Sequence, residues 1–394
     1  MTYVQIIKSF FWINHFWKAY FARFHLAANR PKIGIGMAAI SIRKVYLETL
    51  ASQLSVRPER CNEEGEFDLL GKNGIRTAAA ILMLSLTCFI CIAFAQSEDT
   101  SEEINSSLWN ANALQYMGRY AEAVVQYEDV LTKVSPVDSP AQFANIQINI
   151  GNAYFELSKV QEKEINLNRS VQAYQEALKI FTLEDYPENY AMTQNNLANA
   201  YWALSEVGDL EENLNRTILA YEEALLVYTL EDYPAYYAMT KNSIGNSYRG
   251  LSDVRDKQEF LNMSIQAYAE ALLVFTLEGY PLDYAITQIN LGDSYQSLSE
   301  VMEEEANLNR SIQAYGEALK VFTEDAYPLD YAFVQNNLGN AYLALSELRN
   351  REENLAEAVS AFERALLIFN EKDYPETYPV IHSNLEIAKS RQEA

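Results

Sequence analysis

From about residue 140 onward, apolar and polar positions fall into a helical rhythm. A large aliphatic residue is followed at once by a small one and, three positions later, by an aromatic: Ile150-Gly151-Tyr154, Leu197-Ala198-Tyr201, Ile244-Gly245-Tyr248, Leu291-Gly292-Tyr295 and Leu338-Gly339-Tyr342. Leu204, Leu251, Leu298 and Leu345 come seven positions after the aliphatic residue, so the large side chains share one helix face and the small residue lets a neighbouring helix come close. A second rhythm follows each first one: Ala173-Tyr174-Ala177, Ala220-Tyr221-Ala224, Ala267-Tyr268-Ala271, Ala314-Tyr315-Ala318 and Ala361-Phe362-Ala365. Small and aromatic residues alternating at helical spacing interlock as notch and knob in a helical hairpin. They are therefore expected in a packed core rather than in a cofactor box.

Both rhythms recur at one stride. Pro140, Pro187, Pro234, Pro281, Pro328 and Pro375 are each 47 residues apart, which gives five full units and a trailing half unit. A proline at the first position of a leading helix loses no intrahelical N–H bond. The residue before it is pushed out of the helical region, so the preceding helix must already have stopped. The runs joining the paired helices are polar, as from Glu206 to Asn213 and from Arg349 to Asn354, and Asn354 with Glu357 reads as a capping box for the second helix of the last pair.

The Leu-Gly-x-x-Tyr of the first helix and the Ala-x-x-Ala-aromatic-x-x-Ala-Leu of the second, fullest at Ala358, Phe362 and Ala365, resemble the signature of the tetratricopeptide repeat family. Residues 106–136 resemble an ordinary short member, with Gly118-Arg119-Tyr120 at its helix-turn-helix joint. The longer units are similar to the repeats of kinesin light chains and of microbial arrays. The resemblance covers residues 101–391 and implies an all-α, right-handed superhelical solenoid of antiparallel helix pairs. Its parts would be one short repeat at 101–136, five 47-residue repeats from about 140, and a capping helix at 375–391. Each long unit exceeds the usual length of roughly 34 by about 13 residues, of which about seven are expected in the inter-helix turn and the rest near the proline.

Charge and reactive residues narrow the function. The chain has 394 residues and a net charge of −24, but residues 1–95 carry 11 Lys/Arg against 6 Asp/Glu while residues 96–394 carry 19 against 48. Such an acidic body repels phosphate backbones, so no nucleic-acid partner is expected. Cys61, Cys88 and Cys91 all precede residue 96, and the histidines are His15, His25 and His382. The array thus lacks a disulfide framework, a Cys-based zinc site, a nucleophile-base pair and a Gly-rich phosphate loop. No enzyme activity, cofactor or metal is expected.

One stretch suits lipid. Residues 77–95, TAAAILMLSLTCFICIAFA, carry no charge, with Lys72 and Arg76 before them and Glu98, Asp99, Glu102 and Glu103 after. The basic flank is expected to stay cytoplasmic and the acidic side to cross. Residues 72–95 therefore read as a signal peptide, cleaved after Ala93-Phe94-Ala95, or as an uncleaved transmembrane helix. Residues 1–71 read either as the product of a misassigned start or as a real extension, whose aromatic and basic stretch at 10–30 suits a membrane interface. Either way the array is expected outside the cytoplasm, secreted or anchored, and touching the membrane only through 77–95 if those residues are retained.

The remaining signal is a double column of amides. Asn149, Asn196, Asn290, Asn337 and Asn384 recur beside the core aliphatics, and three positions on come Asn152, Asn199, Asn246, Asp293 and Asn340. Positions i and i+3 share a helix face, so a ladder of asparagines is expected along the first helices. Asn is a mediocre helix former, yet its amide both donates to and accepts from an extended peptide backbone. The resemblance implies that the first helices line a concave groove where such asparagines hold a peptide or partner protein; the other reading of the same residues is a bond between neighbouring helices. A second function, an acidic surface component that is structural or binds cations, stays open beside the scaffold. Lys241 and Arg249 occur in one unit only, and Asn105, Asn168, Asn215, Asn262 and Asn309 begin glycosylation patterns, four of them copied at the same stride.

Overall fold

A computed structural model of the protein describes residues 101–393. The hydrophobic segment 77–95 and the extension 1–71 lie outside the described residues, as does the pattern-based signal-or-span reading. Among the described residues there are thirteen helices and no strand. They are α1 (101–116), α2 (Tyr120–Leu131), α3 (Pro140–Ser158), α4 (Lys163–Leu178), α5 (Pro187–Ser205), α6 (Leu210–Leu225), α7 (Pro234–Ser252), α8 (Lys257–Ala271), α9 (Pro281–Ser299), α10 (Glu304–Ala318), α11 (Pro328–Leu345), α12 (Arg351–Ile368) and α13 (Tyr378–Glu393). None of them is long and apolar enough to cross a membrane.

Each helix packs on the next, most extensively within the pairs α3–α4, α5–α6, α7–α8, α9–α10 and α11–α12. The notch is real: a Cβ built on Gly245 would lie 2.5 Å from a ring carbon of the fully buried Tyr268, and Gly151, Gly292 and Gly339 meet Tyr174, Tyr315 and Phe362 in the same way. First helices also touch the first helix of a neighbouring unit, as α9 touches α7 and α11, with no comparable approach between second helices. Pairs that are narrower on one side stack into a curve, and this places the first helices on its inner face.

The prolines at 140, 187, 234, 281 and 328 sit in the first turn of α3, α5, α7, α9 and α11. The tyrosines before the last four lie outside the helical region, with φ between −140° and −133° and ψ between 57° and 66°. Each of them packs against an aromatic residue of the loop before it, as Phe181–Tyr186 and Phe322–Tyr327 do with ring centroids 5.1 and 5.5 Å apart. That contact ties each loop to the start of the next first helix. Pro375 departs from the pattern, because it lies in a turn and α13 begins only at Tyr378. A helix begun at Pro375 would place Pro379 where its missing N–H and its ring oppose the carbonyl four residues back, so the start moves until Pro379 falls in the first turn.

Two expectations about the turns are corrected. The link inside each long pair is only four or five residues, such as 159–162 and 346–350, and the extra length lies in 19-residue first helices and in eight-residue loops between units such as 179–186. Asn354 is not a cap: α12 begins at Arg351, and Asn354 is buried and donates from Nδ2 to the Arg349 carbonyl at 2.8 Å. Asn166 and Asn307 make the same bond to Gln161 and Met302. The chain reverses at Glu162, Asp256, Glu303 and Asn350, all left-handed with φ of 44–45°. The exception is the link at Gly208-Asp209, where Asp209 caps α6 by accepting from the Glu212 N–H at 3.0 Å.

Candidate functional site

The two amide columns lie where the sequence placed them, on one face of the first helices, and every member is half-buried. In the second column the side-chain oxygen is already occupied. Tyr174, Tyr221 and Tyr268 each donate a hydroxyl to Oδ1 of Asn152, Asn199 and Asn246 at 2.6 Å, and Tyr315 donates to Asp293 at 2.7 Å. The aromatic knob that fills the glycine notch therefore carries its hydroxyl through to the groove side, which joins core to ladder. Burial pushes the Tyr221 and Tyr268 hydroxyls up to about 12, so they remain donors.

The first column bridges units. Asn196 donates from Nδ2 to Asn152 at 3.5 Å, Asn337 to Asp293 at 3.2 Å and Asn384 to Asn340 at 3.0 Å, while Asn290 reaches Asn242 at 3.4 Å. The shortest of these falls where Phe362 replaces the tyrosine, so that Asn340 faces no competing hydroxyl. Asn149 lies on the same face of α3. The ladder thus has the inter-helix role that was one of its two readings. It also leaves a regular surplus, with amide donors on Asn152, Asn199 and Asn246 and amide acceptors on Asn196 and Asn290. Donors in one lane and acceptors in the next match what an extended main chain presents.

Charge enters the ladder at one seam. Asp293 is the only acidic member, and Arg249, one unit earlier, donates from Nη1 to its Oδ2 at 3.0 Å. Burial raises the Asp293 carboxyl above its ordinary range, outweighing the opposing bonds from Tyr315, Arg249 and Asn337. Lys241 does not face a ligand: it pairs with Glu270 at 2.5 Å. The sequence showed both cations as single occurrences, but not that Arg249 and Asp293 compensate each other.

A second lane escaped the sequence reading. Met192, Met239, Ile286, Phe333 and Val380 stand four positions before the first amide column, and all five are exposed, from 39% to 61%. Four positions share a helix face, so this apolar lane runs beside the amides. The 47-residue stride would have revealed it, since the column is apolar in five successive units.

The glycosylation patterns have a structural explanation. Asn168 and Asn309 are exposed on helices, but Ser170, Thr217, Ser264 and Ser311 of the copied motif are fully buried, and Ser170 donates to the Gly151 carbonyl at 2.8 Å. Among the described residues no cluster of His, Cys, Asp or Glu is arranged to hold a metal.

The chain is a helical repeat array. Similar solved structures include the APC/C hetero-tetramer Cut9-Hcn1, at 15% identity over 72% of this chain and 42% of that chain with a TM-score of 0.40. Another is the C-terminal part of a TPR repeat-containing protein from Cytophaga hutchinsonii, at 10% identity over 71% of this chain and 99% of that one with a TM-score of 0.34. A third is the TPR2AB-domain:pHSP90 complex of yeast Sti1, at 13% identity over 73% and 99% of the two chains with a TM-score of 0.26. No protein-family model and no curated protein matches the chain. The likenesses are to helical folds and say nothing of a ligand.

Proposed function

We propose that the array is a non-enzymatic scaffold that holds a polypeptide along its first helices, in an exported or membrane-tethered protein. The observation carrying this reading is the surplus of amide donors and acceptors in two parallel lanes, half-buried and repeated through the units. The Tyr-to-Asn bond occupies the amide oxygen alone, so the amide nitrogens of Asn152, Asn199 and Asn246 stay available to a main-chain carbonyl. Solenoids commonly bind along such an extended inner surface. Affinity in such arrays comes from a few side chains, so the fold does not name the partner.

The test is photo-crosslinking in the native cell. A crosslinking residue at Asn196 or Asn337 is expected to trap polypeptide, whereas one at Leu219, exposed on the second helix α6, is not. Asn196→Ala and Asn337→Ala should then lower trapping from Met239 without changing the helix content. Equal trapping from Leu219, or trapping indifferent to both alanines, overturns the reading.

A further inference from the structure

We propose that the occupant of this groove is an extended peptide whose apolar side chains recur at about every third residue, with Lys or Arg between them. This rests on the groove reading above and specifies the chemistry of its ligand.

Spacing comes from the lane of Met239, Ile286 and Phe333, exposed by 55%, 46% and 47% and supplied one per unit. Leu282 and Leu329, exposed by 42% and 47%, stand one turn before the last two and widen the lane into a patch across α9 and α11. Scattered exposed apolar side chains need no explanation, but a contiguous, periodic set does. Consecutive first helices are close enough for Asn337 on α11 to bond Asp293 on α9 at 3.2 Å but do not pack as the paired helices do, so one unit spans roughly 10 Å. A chain extended in the polyproline II form rises about 3.1 Å per residue with three residues per turn, so it crosses one unit in about three residues and returns a side chain to the same face at each unit. Every third side chain then reaches the apolar lane while its main chain meets the amides.

Charge fixes the residues in between. On α7, α9 and α11 the only cations are Lys241 and Arg249, and both are engaged, by Glu270 and Asp293. Asp283 and Asp330 are exposed directly beside Leu282 and Leu329, and the loops entering α9 and α11 add exposed Glu278 and Glu324. A carboxylate in a first helical turn is favoured by the helix dipole, which accounts for Asp283 and Asp330 alone. The loop carboxylates lie outside the helices, in the segments that lead into Leu282 and Leu329. An acidic peptide would be repelled along its length, whereas a basic one gains in encounter and in register.

The test uses the purified full-length chain and two fluorescent twelve-residue peptides, with leucine at every third position and either lysine or glutamate among the rest. At low salt the lysine peptide should bind about tenfold or more tightly than the glutamate peptide, with the preference shrinking as salt rises. Asp283→Asn with Asp330→Asn should weaken the lysine peptide several-fold and flatten its salt dependence, and Ile286→Ser with Phe333→Ser should abolish binding; both pairs are surface changes that leave the helix content intact. Equal binding of both peptides, lost with the serine pair, overturns the basic preference and leaves the groove reading standing. Binding that survives the serine pair but falls with Asn196→Ala and Asn337→Ala overturns the apolar lane in favour of the amides alone. Absence of binding by either peptide overturns this inference, while the crosslinking result decides the groove reading independently.

Discussion

Arg249 and Asp293 form a point where the repeat tests its own logic. Each departs from its column: Arg249 stands where the other units carry Phe155, Trp202, Gln296 and Leu343, and Asp293 stands where they carry asparagine. The pair is bonded at 3.0 Å with side chains 37% and 22% exposed. Removing one partner of a fully buried pair costs about 3–5 kcal/mol, and partial access to water reduces that here to about 1–3. Arg249→Ala should therefore destabilise by about 2 kcal/mol, because Asp293 keeps only Tyr315 and Asn337 as donors. Asp293→Asn should cost less, about 0.5–1 kcal/mol, since it restores the ladder amide and the guanidinium can turn to water. The double variant should cost about 1–2 kcal/mol less than the two single costs added together. Urea unfolding followed by circular dichroism gives the energies, and hydrogen exchange localises them to the α7–α9 seam, which matters because long arrays need not unfold in one step. Additivity within about 0.5 kcal/mol would refute the compensation. The cycle also has a pH signature. The folded-state carboxyl of Asp293 lies above its unfolded value, so its cost is present at neutral pH and disappears as pH falls through the folded value toward the ordinary carboxylate range. The wild-type chain should accordingly gain stability relative to Asp293→Asn on acidification, and a difference that does not vary with pH would contradict the assignment.

Gly245→Ala should destabilise by about 1–3 kcal/mol in thermal unfolding, because its Cβ meets the Tyr268 ring at 2.5 Å, whereas Ala198 already occupies the equivalent position against Tyr221 and its exchange for Gly should cost at most about 1. Glu303→Gly should stabilise by about 0.5–1 kcal/mol, since φ of 45° strains a side chain that glycine lacks, and a loss of stability would deny that strain. Tyr268→Phe should cost about 1 kcal/mol through the lost bond to Asn246, while Phe362→Tyr should lengthen the Asn384–Asn340 contact, readable as faster exchange in α13. Burial raises the Glu270 carboxyl, but bonds from Lys241, Gln266 and Tyr237 bring it below the ordinary value. Its contribution is present at neutral pH and lost as pH falls through the folded value, so Glu270→Gln should flatten the acid limb of an unfolding titration.

What the sequence made legible follows from how each feature is encoded. The glycine notch, its aromatic partner and the proline starts are single residue types whose physics admits few alternatives, and their stride fixed the pairing of helices before any coordinate. The turn lengths are not legible because Glu, Asn and Leu in runs such as 206–213 are as compatible with a first helical turn as with a loop, so polarity does not mark irregular backbone. Nothing in the residue types marks Glu162 or Glu303 as left-handed, since the usual signal for that conformation is glycine or asparagine. Asn350 carries it, and Asp256 carries a weaker form of it.

The asparagine columns show why duplication alone could not separate structure from function. Copying a unit copies its Tyr-to-Asn bond, so Asn152, Asn199 and Asn246 are one observation about packing. What is informative is where the copies diverge under constraint. Phe362 loses the hydroxyl and Asn340 turns to Asn384; Asn246 gives way to Asp293 and Arg249 arrives to meet it. These changes conserve hydrogen bonding at the seam, which locates a structural demand on the amide oxygens. The lane of Met192, Met239, Ile286, Phe333 and Val380 behaves in the opposite way. It varies freely in shape, never forms part of the core, and stays apolar while exposed to water. Packing among the described residues does not account for keeping such a column apolar, and this is the feature on which the proposed peptide occupant rests.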